Sequence, residues 1–394
     1  MGKAFSKRGL TPGLTYLGEA FCDVAGGLRR GAVDLHNLSL TLSIDLGKLV
    51  RWRGATVFLY GMGIAGRSPE RYFGDLQGVS NIAAPGSVRL YEAWLQQDLW
   101  GGRLSLLGGI YDLNSEFDVV EAGSVFMSPS WGIDPTFAFT GLNGPSIFPN
   151  TTLGFRVRVK TGGLYAQAAV LNGLAGDPSD PDATRIILRR TNGVLVVAET
   201  GYHFPLAAGR HRRQAPRPSL RRYVAPSYAG KIALGLWTYT AAFTPILPGP
   251  GRIHGDAGLY VLLTHTIWHA DGSDAGSGRR LLAFARLGLA NPRINRLGAF
   301  VGGGLSFTGP FRGRAQDVAG VAVAAAFNGQ DFLTRTALAG APPRRAEWNA
   351  ELTYQARILN WLDLHPDIQF VIHPGLAPSV RNALGFDLRV EVHL

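Results

Sequence analysis

The stretch Phe386-Asp-Leu-Arg-Val-Glu-Val-His-Leu394 decides how the chain is read. In an extended strand Phe386, Leu388, Val390, Val392 and Leu394 share one face, while Asp387, Arg389, Glu391 and His393 share the other. A soluble domain could bury the apolar face. A strand that runs to the final residue with no cap or tail fits an outer-membrane β-barrel better, with lipid on one face and a wet lumen on the other.

The same alternation recurs upstream. Leu38–Leu46 places an aliphatic residue at every second position, and Leu153–Val159 sets Leu, Phe, Val and Val against Gly154, Arg156 and Arg158. Glu347–Arg357 and Asp363–His373 repeat it, with one face too charged for a soluble core and the other too apolar for water. The pattern predicts an all-β fold, a transmembrane antiparallel barrel of sixteen strands. They span 15–24, 33–46, 54–64, 88–98, 103–111, 151–160, 163–171, 194–203, 228–239, 255–268, 279–289, 297–307, 317–327, 346–357, 363–373 and 384–394.

Connections support the count. Those after even-numbered strands are often short (Arg51-Trp-Arg53, Trp100-Gly-Gly102, Thr161-Gly162, Asn360-Trp361), whereas those after odd-numbered strands are mostly long (65–87, 112–150, 172–193, 240–254, 328–345). Short periplasmic turns and long outer loops are the usual barrel asymmetry, and they put Trp52, Trp100 and Trp361 in one interfacial girdle. The exception is 204–227, with His211-Arg-Arg213, Arg217 and Arg221-Arg222, read as a basic insertion on the turn side. Residues 1–394 read as a single barrel domain.

Composition narrows the classes. Charged residues make up 17% of the 394 positions, below the roughly 25% of ordinary globular domains. The longest uncharged apolar run, around Val318–Phe327, is far short of a membrane helix, which needs about 20 residues. The single Cys22 excludes an internal disulfide framework and a multi-cysteine metal site, and reads as a small apolar strand residue. The opening Met-Gly-Lys-Ala-Phe-Ser-Lys-Arg lacks an apolar signal core, so an exported protein is expected here in mature, trimmed or late-started form. The net charge of +11 points to anionic partners. No nucleic-acid motif accompanies it, which leaves lipopolysaccharide phosphates and anionic solutes.

The longest connection, 112–150, follows the fifth strand and is expected to fold inward as a constriction loop. The candidate pore-lining residues are Asp112, Asn114, Glu116, Phe117 and Asp118 on that loop, facing Arg156, Arg158 and Lys160, with Arg89, Glu92, Trp94, Glu351 and Arg389 on the wall. Opposed charges would set a transverse field that favours polar solutes. The loop aromatics Trp131, Phe137 and Phe139 would offer faces on which sugar C–H groups stack.

Other chemistries are weaker. Glu116 and Asp118 could suggest a glycosidase pair, but catalytic carboxylates usually come from separate elements. His365, His373 and His393 are expected to line the lumen rather than bind metal. Gly176–Asp182 is acidic but lacks a calcium-loop signature, and reads as a stiff external turn. Gly302-Gly-Gly304 reads as a barrel bend. No G-x-S-x-G or H-E-x-x-H sequence is present.

Further short stretches spread along the chain carry a resemblance. They are Tyr16-Leu-Gly-Glu19 with Gly26-Gly27, Gly74-Asp-Leu-Gln-Gly-Val-Ser-Asn-Ile82, Arg89-Leu-Tyr-Glu-Ala-Trp-Leu95, Gly109-Ile-Tyr-Asp-Leu-Asn-Ser-Glu-Phe-Asp118 and Gly144-Pro-Ser-Ile-Phe-Pro149. Gly258-Leu-Tyr260, Ala283-Phe-Ala-Arg286, Gly302-Gly-Gly-Leu305, Glu351-Leu-Thr-Tyr354 and Pro366-Asp-Ile-Gln-Phe370 continue the series. In order and spread the chain resembles the OprB-type carbohydrate-selective porins of Gram-negative outer membranes. The resemblance implies a sixteen-stranded barrel passing glucose-like sugars and polyols by facilitated diffusion, with Tyr111–Asp118 opening the constriction loop. It also implies more sequence ahead of Arg8-Gly-Leu10, so the first strand or an N-terminal plug is expected to be incomplete.

The expectation is thus a carbohydrate-selective outer-membrane porin, neither an enzyme nor a cofactor protein. Its partners are small neutral sugars, the lipid bilayer with its lipopolysaccharide, and the barrel-assembly machinery; nucleic acid is excluded, and monomer and homo-oligomer both stay open. Leu394 stands where such barrels usually end in Phe or Trp, which predicts weaker recognition by that machinery. A general or anion-selective porin is the alternative, ahead of a barrel enzyme or a plugged structural barrel.

Overall fold

The computed structural model describes residues 8–205, 223, 226–270 and 278–394. Sixteen antiparallel strands close on themselves in sequence order. They are β1 (Leu10–Gly27), β2 (Gly31–Asp45), β3 (Ala55–Gly66), β4 (Ser87–Leu99), β5 (Leu104–Tyr111), β6 (Thr152–Thr161), β7 (Leu164–Asn172) and β8 (Val194–Phe204). The second half comprises β9 (Gly230–Phe243), β10 (Ile253–His269), β11 (Arg280–Ala290), β12 (Leu297–Thr308), β13 (Val318–Asn328), β14 (Ala346–Leu359), β15 (Leu362–Ile372) and β16 (Arg381–His393). Every strand read from alternation is present.

Closure leaves no unpaired sheet edge, as a membrane interior requires. β16 lies between β15 and β1, with Tyr16 opposite Val392 and Leu364 opposite Val390. Leu394 exchanges both backbone hydrogen bonds with Leu14. β1 pairs with β2 from Leu10 onward and with β16 from Thr15 onward.

Burial is inverted relative to a soluble protein. Leu352 and Phe386 are 55% and 44% exposed, whereas their neighbours Glu351 and Asp387 are buried at 2% and 4%. Only a lipid exterior and a polar lumen make both faces favourable. Trp52, Trp100 and Trp361 all lie exposed at the short-turn end.

One local departure from alternation matters for the lumen. The pairing of β3 with β4 steps from Tyr60–Glu92 to Gly61–Leu90, a bulge at Tyr91. A bulge adds one residue to one strand and so changes which side chains face inward. Arg89 and Tyr91 point in on one side of it, and Glu92 and Trp94 on the other.

Most of the Arg-rich 204–227 segment, including Arg213, Arg217 and Arg221, lies outside the described residues. Two described residues of its return limb touch the barrel wall. Tyr223 is buried with its hydroxyl 3.4 Å from Ser306 Oγ, and Arg280 on β11 donates to the carbonyl of Pro226 at 2.6 Å.

Candidate functional site

The chain between β5 and β6 runs inside the barrel. Asp112 starts it by accepting a hydrogen bond from the Asn114 backbone at 2.9 Å, which caps a single 3-10 turn, Leu113–Ser115. The Leu113 amide donates to Ser146 O at 2.7 Å, so the two ends of the loop are tied together. Between them the segment is fixed to strands on several sides of the lumen.

Four carboxylates carry much of this anchoring. Glu116 accepts from Tyr111 Oη and Arg156 Nε, each at 2.7 Å, and from Arg158. Asp118 pairs with Arg286 of β11 at 2.6 Å, with both side chains fully buried, and its second oxygen accepts from the Asp134 amide at 2.8 Å. Glu121 meets Lys231 of β9 at 3.5 Å and accepts from Tyr228. From β14, Glu351 accepts from the Met127 and Ser128 amides and from Trp131 Nε1 at 2.9 Å. Charge-assisted bonds of this kind are about twice as strong as neutral ones.

Burial pushes the Glu116 carboxyl up, but the adjacent Arg158 and Arg156 guanidinium groups outweigh that and hold it below its ordinary range. It is therefore ionised at neutral pH.

Glu199 on β8 is the hub of the opposite side. It accepts from Tyr260 Oη at 2.7 Å, Tyr165 Oη at 2.8 Å and the Asp118 amide at 3.0 Å. Glu199, Lys231, Tyr260 and Arg286 were not among the candidates. Each was nonetheless visible as a polar or aromatic residue on the inward register of its strand.

Glycines make room for the loop. On neighbouring strands, a Cβ at Gly302 would lie 3.0 Å from Trp131, and one at Gly320 would lie 2.7 Å from Phe126. At Gly288 an added Cβ would overlap the Asp134 carboxylate. Gly302 is thus a seat for an indole as well as part of a strand. Gly288→Val should lower stability by about 1–3 kcal/mol, the usual cost of overpacking. Thermal unfolding in detergent checks this, and an unchanged midpoint would show that the loop yields there freely.

The structure brings together Glu116, Arg156 and Arg158 as expected, but in direct contact rather than across a gap. Asp118 joins Arg286 instead. Lys160 lies further toward the short-turn end of the same β6 face. Arg89 is an outer-rim brace, donating to Asn150 Oδ1 and Pro149 O at 2.7 Å and to Ser87 Oγ. Trp94 stacks on Phe58 with centroids 4.9 Å apart and donates to Glu92. Phe117 is wholly buried, and Asn114 donates within the loop to Gly132 O at 2.9 Å. The aromatic faces expected for sugar are mostly used in packing: Phe137 stacks on Trp237 and Trp131 sits against Phe284, whereas Phe139 stays exposed.

Among the described residues, two cavities flank this loop. The outer one, about 550 Å³, lies between the 67–86 and 112–150 connections and is lined by Asn81, Asn114, Ser130, Phe139 and Asn150 among others. The inner one, about 30 Å³, is lined by Asn81, Gln355, His365, Arg389 and Glu391 among others. Asn81 borders both. Its amide donates to Phe126 O at 3.2 Å, and its carbonyl accepts from Arg389 at 2.7 Å. Arg389 is itself held by Glu19 at 2.6 Å. Around the wall, Glu19, Asp23, Glu347, Glu351, Asp363, Asp367, Asp387 and Glu391 form an acidic arc on β14–β16 and β1. Arg89, Arg156, Lys231, Arg280 and Arg286 stand on β4–β11.

Comparison with known proteins agrees with this architecture. Porin B of Pseudomonas aeruginosa is 22% identical over 422 residues, covering 96% of this chain and 86% of the relative. The high-pH structure of Pseudomonas putida OprB superimposes with a TM-score of 0.83 at 19% identity, covering 100% of this chain and 96% of that one. The low-pH structure of the same protein gives 0.61 at 18% identity. A family profile described as carbohydrate-selective porin, OprB family, matches residues 29–394, nearly the whole of the barrel built above, and the chain belongs to that family of sugar-passing outer-membrane porins.

Proposed function

We propose that small neutral sugars cross this barrel by way of the outer cavity and the Asn81 constriction, with the 112–150 loop as the narrowing element. The observation that carries this reading is the shared position of Asn81. Its side chain lines both the outer cavity and the small inner one, which supports an amide at the passage between them. The outer cavity, about 550 Å³, falls within the roughly 300–1,000 Å³ of small-molecule sites. Its amide and hydroxyl lining suits exchange of hydrogen bonds with sugar hydroxyls, and the exposed Phe139 offers a stacking face. The acidic arc on β14–β16 and β1 leaves carboxylates in excess on that side of the lumen.

An anion-selective pore is the second reading, favoured by the net charge of +11. The lumen speaks against it, because five of its cations are paired with carboxylates: Arg156 and Arg158 with Glu116, Arg286 with Asp118, Lys231 with Glu121, and Arg389 with Glu19. Liposome swelling with a series of neutral sugars tests the proposal. Monosaccharides should enter, larger sugars should be excluded, and Asn81→Ala should raise the rate and the size limit. Strong anion selectivity with no sugar flux would overturn it.

A further inference from the structure

We infer that Asp363, Glu391 and His393 form a Zn²⁺ site at the short-turn end of the lumen. The three come from the two strands that complete the barrel. Asp363 of β15 stands directly opposite Glu391 of β16, and His393 follows Glu391 by two residues, on the same inward face. The two carboxylates stand at directly opposed positions, with Arg357 3.6 Å from Asp363 and His365 3.1 Å from Glu391.

Donor type selects the ion. One ligand atom from each residue lies within 4.8 Å of the others. His393 Nε2 is 3.3 Å from Glu391 Oε2. Tetrahedral zinc, with bonds of about 2.0–2.2 Å, places adjacent nitrogen and oxygen donors roughly 3.3–3.5 Å apart. One imidazole with two carboxylates is a borderline donor set that suits zinc better than the all-oxygen shells preferred by Mg²⁺ or Ca²⁺.

Neighbouring groups orient the ligands. The other imidazole nitrogen of His393 lies 3.5 Å from Thr15 Oγ1 on β1, leaving Nε2 toward Glu391. Glu391 is also met by His365 Nδ1 at 3.1 Å and by the Gln355 amide at 2.8 Å, and Arg357 Nε is 3.6 Å from Asp363. The small cavity bordered by Glu391 and His365, about 30 Å³, is large enough for a water, which needs about 10–15 Å³. It opens on the Glu391 side of the triad. A bound ion ties β15 to β16 next to the β16–β1 seam and places two positive charges in the acidic arc.

The test is calorimetry on the chelator-treated, detergent-solubilised barrel titrated with ZnCl₂. One site per chain is expected, and Mg²⁺ at the same concentration should give no heat of binding. His393→Ala and, separately, Glu391→Gln should each weaken zinc binding by at least about tenfold, since each removes a direct ligand. His36→Ala, which alters an exposed histidine on β2, should leave it unchanged. Each variant is confirmed as a closed barrel by its heat-dependent gel mobility. The proposal is overturned if the folded wild-type barrel takes up no zinc. It is equally overturned if the two ligand variants bind like wild type, in which case the His393–Glu391 contact is a salt bridge only. Sugar flux plays no part in these readouts, so their failure leaves the transport proposal standing.

Discussion

Asp118→Ala should release the internal loop, raising single-channel conductance while lowering stability by about 3–5 kcal/mol, the usual cost of breaking a buried ion pair. Asp118 and Arg286 are both fully buried, 2.6 Å apart, and the Asp118 carboxylate also accepts from the Asp134 amide. Removing the carboxylate strands a guanidinium that keeps only the carbonyls of Ser130 and residue 118. Asp134 loses its acceptor at the same time, and Asp134 caps the short helix Pro135–Ala138 that stacks Phe137 on Trp237. The loop is therefore undone from its centre outward. A double variant, Asp118→Leu with Arg286→Met, should recover much of the stability, because removing both charges avoids the uncompensated one. Its conductance should stay high if the pair positions the loop. Unchanged conductance and thermal midpoint in the single variant would show that the remaining anchors, Glu116, Glu121 and Glu351, suffice.

The contrast between what the sequence disclosed and what it hid follows from the range of the interactions involved. Strand alternation is local, so all sixteen strands could be read from runs such as Leu38–Leu46, and the lumen and lipid faces came with them. The bulge at Tyr91 was not legible, because it arises from pairing with β3 rather than from any local residue pattern. Loop pairing was legible only where partners were close in register. Glu116 with Arg156 and Arg158 joins consecutive elements, and that match was expected. Asp118 with Arg286, and Glu351 with Met127 and Trp131, join residues 168 and more than 200 positions apart in sequence. Nothing in a periodic pattern selects one inward arginine over another at that range. The loop aromatics misled for a related reason: composition shows that rings are present, but only packing decides whether Trp131 meets a solute or Phe284.

Glu116→Gln should move the pore toward anion selectivity and remove a pH response of the wild type. Glu116 is the counter-charge for two arginines, with Arg156 donating at 2.7 and 3.0 Å and Arg158 also bonded. Glutamine fills the same space without the charge, so one unit of positive charge in the lumen is left uncompensated, at a stability cost of about 3–5 kcal/mol. The reversal potential in a salt gradient should shift accordingly. The sign with pH follows from the lowered carboxyl of Glu116. A depressed folded-state value means that the stabilisation is fully present above the ordinary carboxylate range and is lost only as pH falls through the lower folded value. The Glu116 contribution to wild-type ion selectivity should therefore hold steady from neutral pH down through the ordinary range, then move toward anions below it as Glu116 takes a proton. The Glu116→Gln pore should already sit at that anion-favouring value at neutral pH and lack this component of the shift. The other wall carboxylates titrate in both proteins, so the difference between the two curves isolates Glu116. Parallel curves with no offset would mean that Arg156 and Arg158 do not contribute to the field that permeating ions experience.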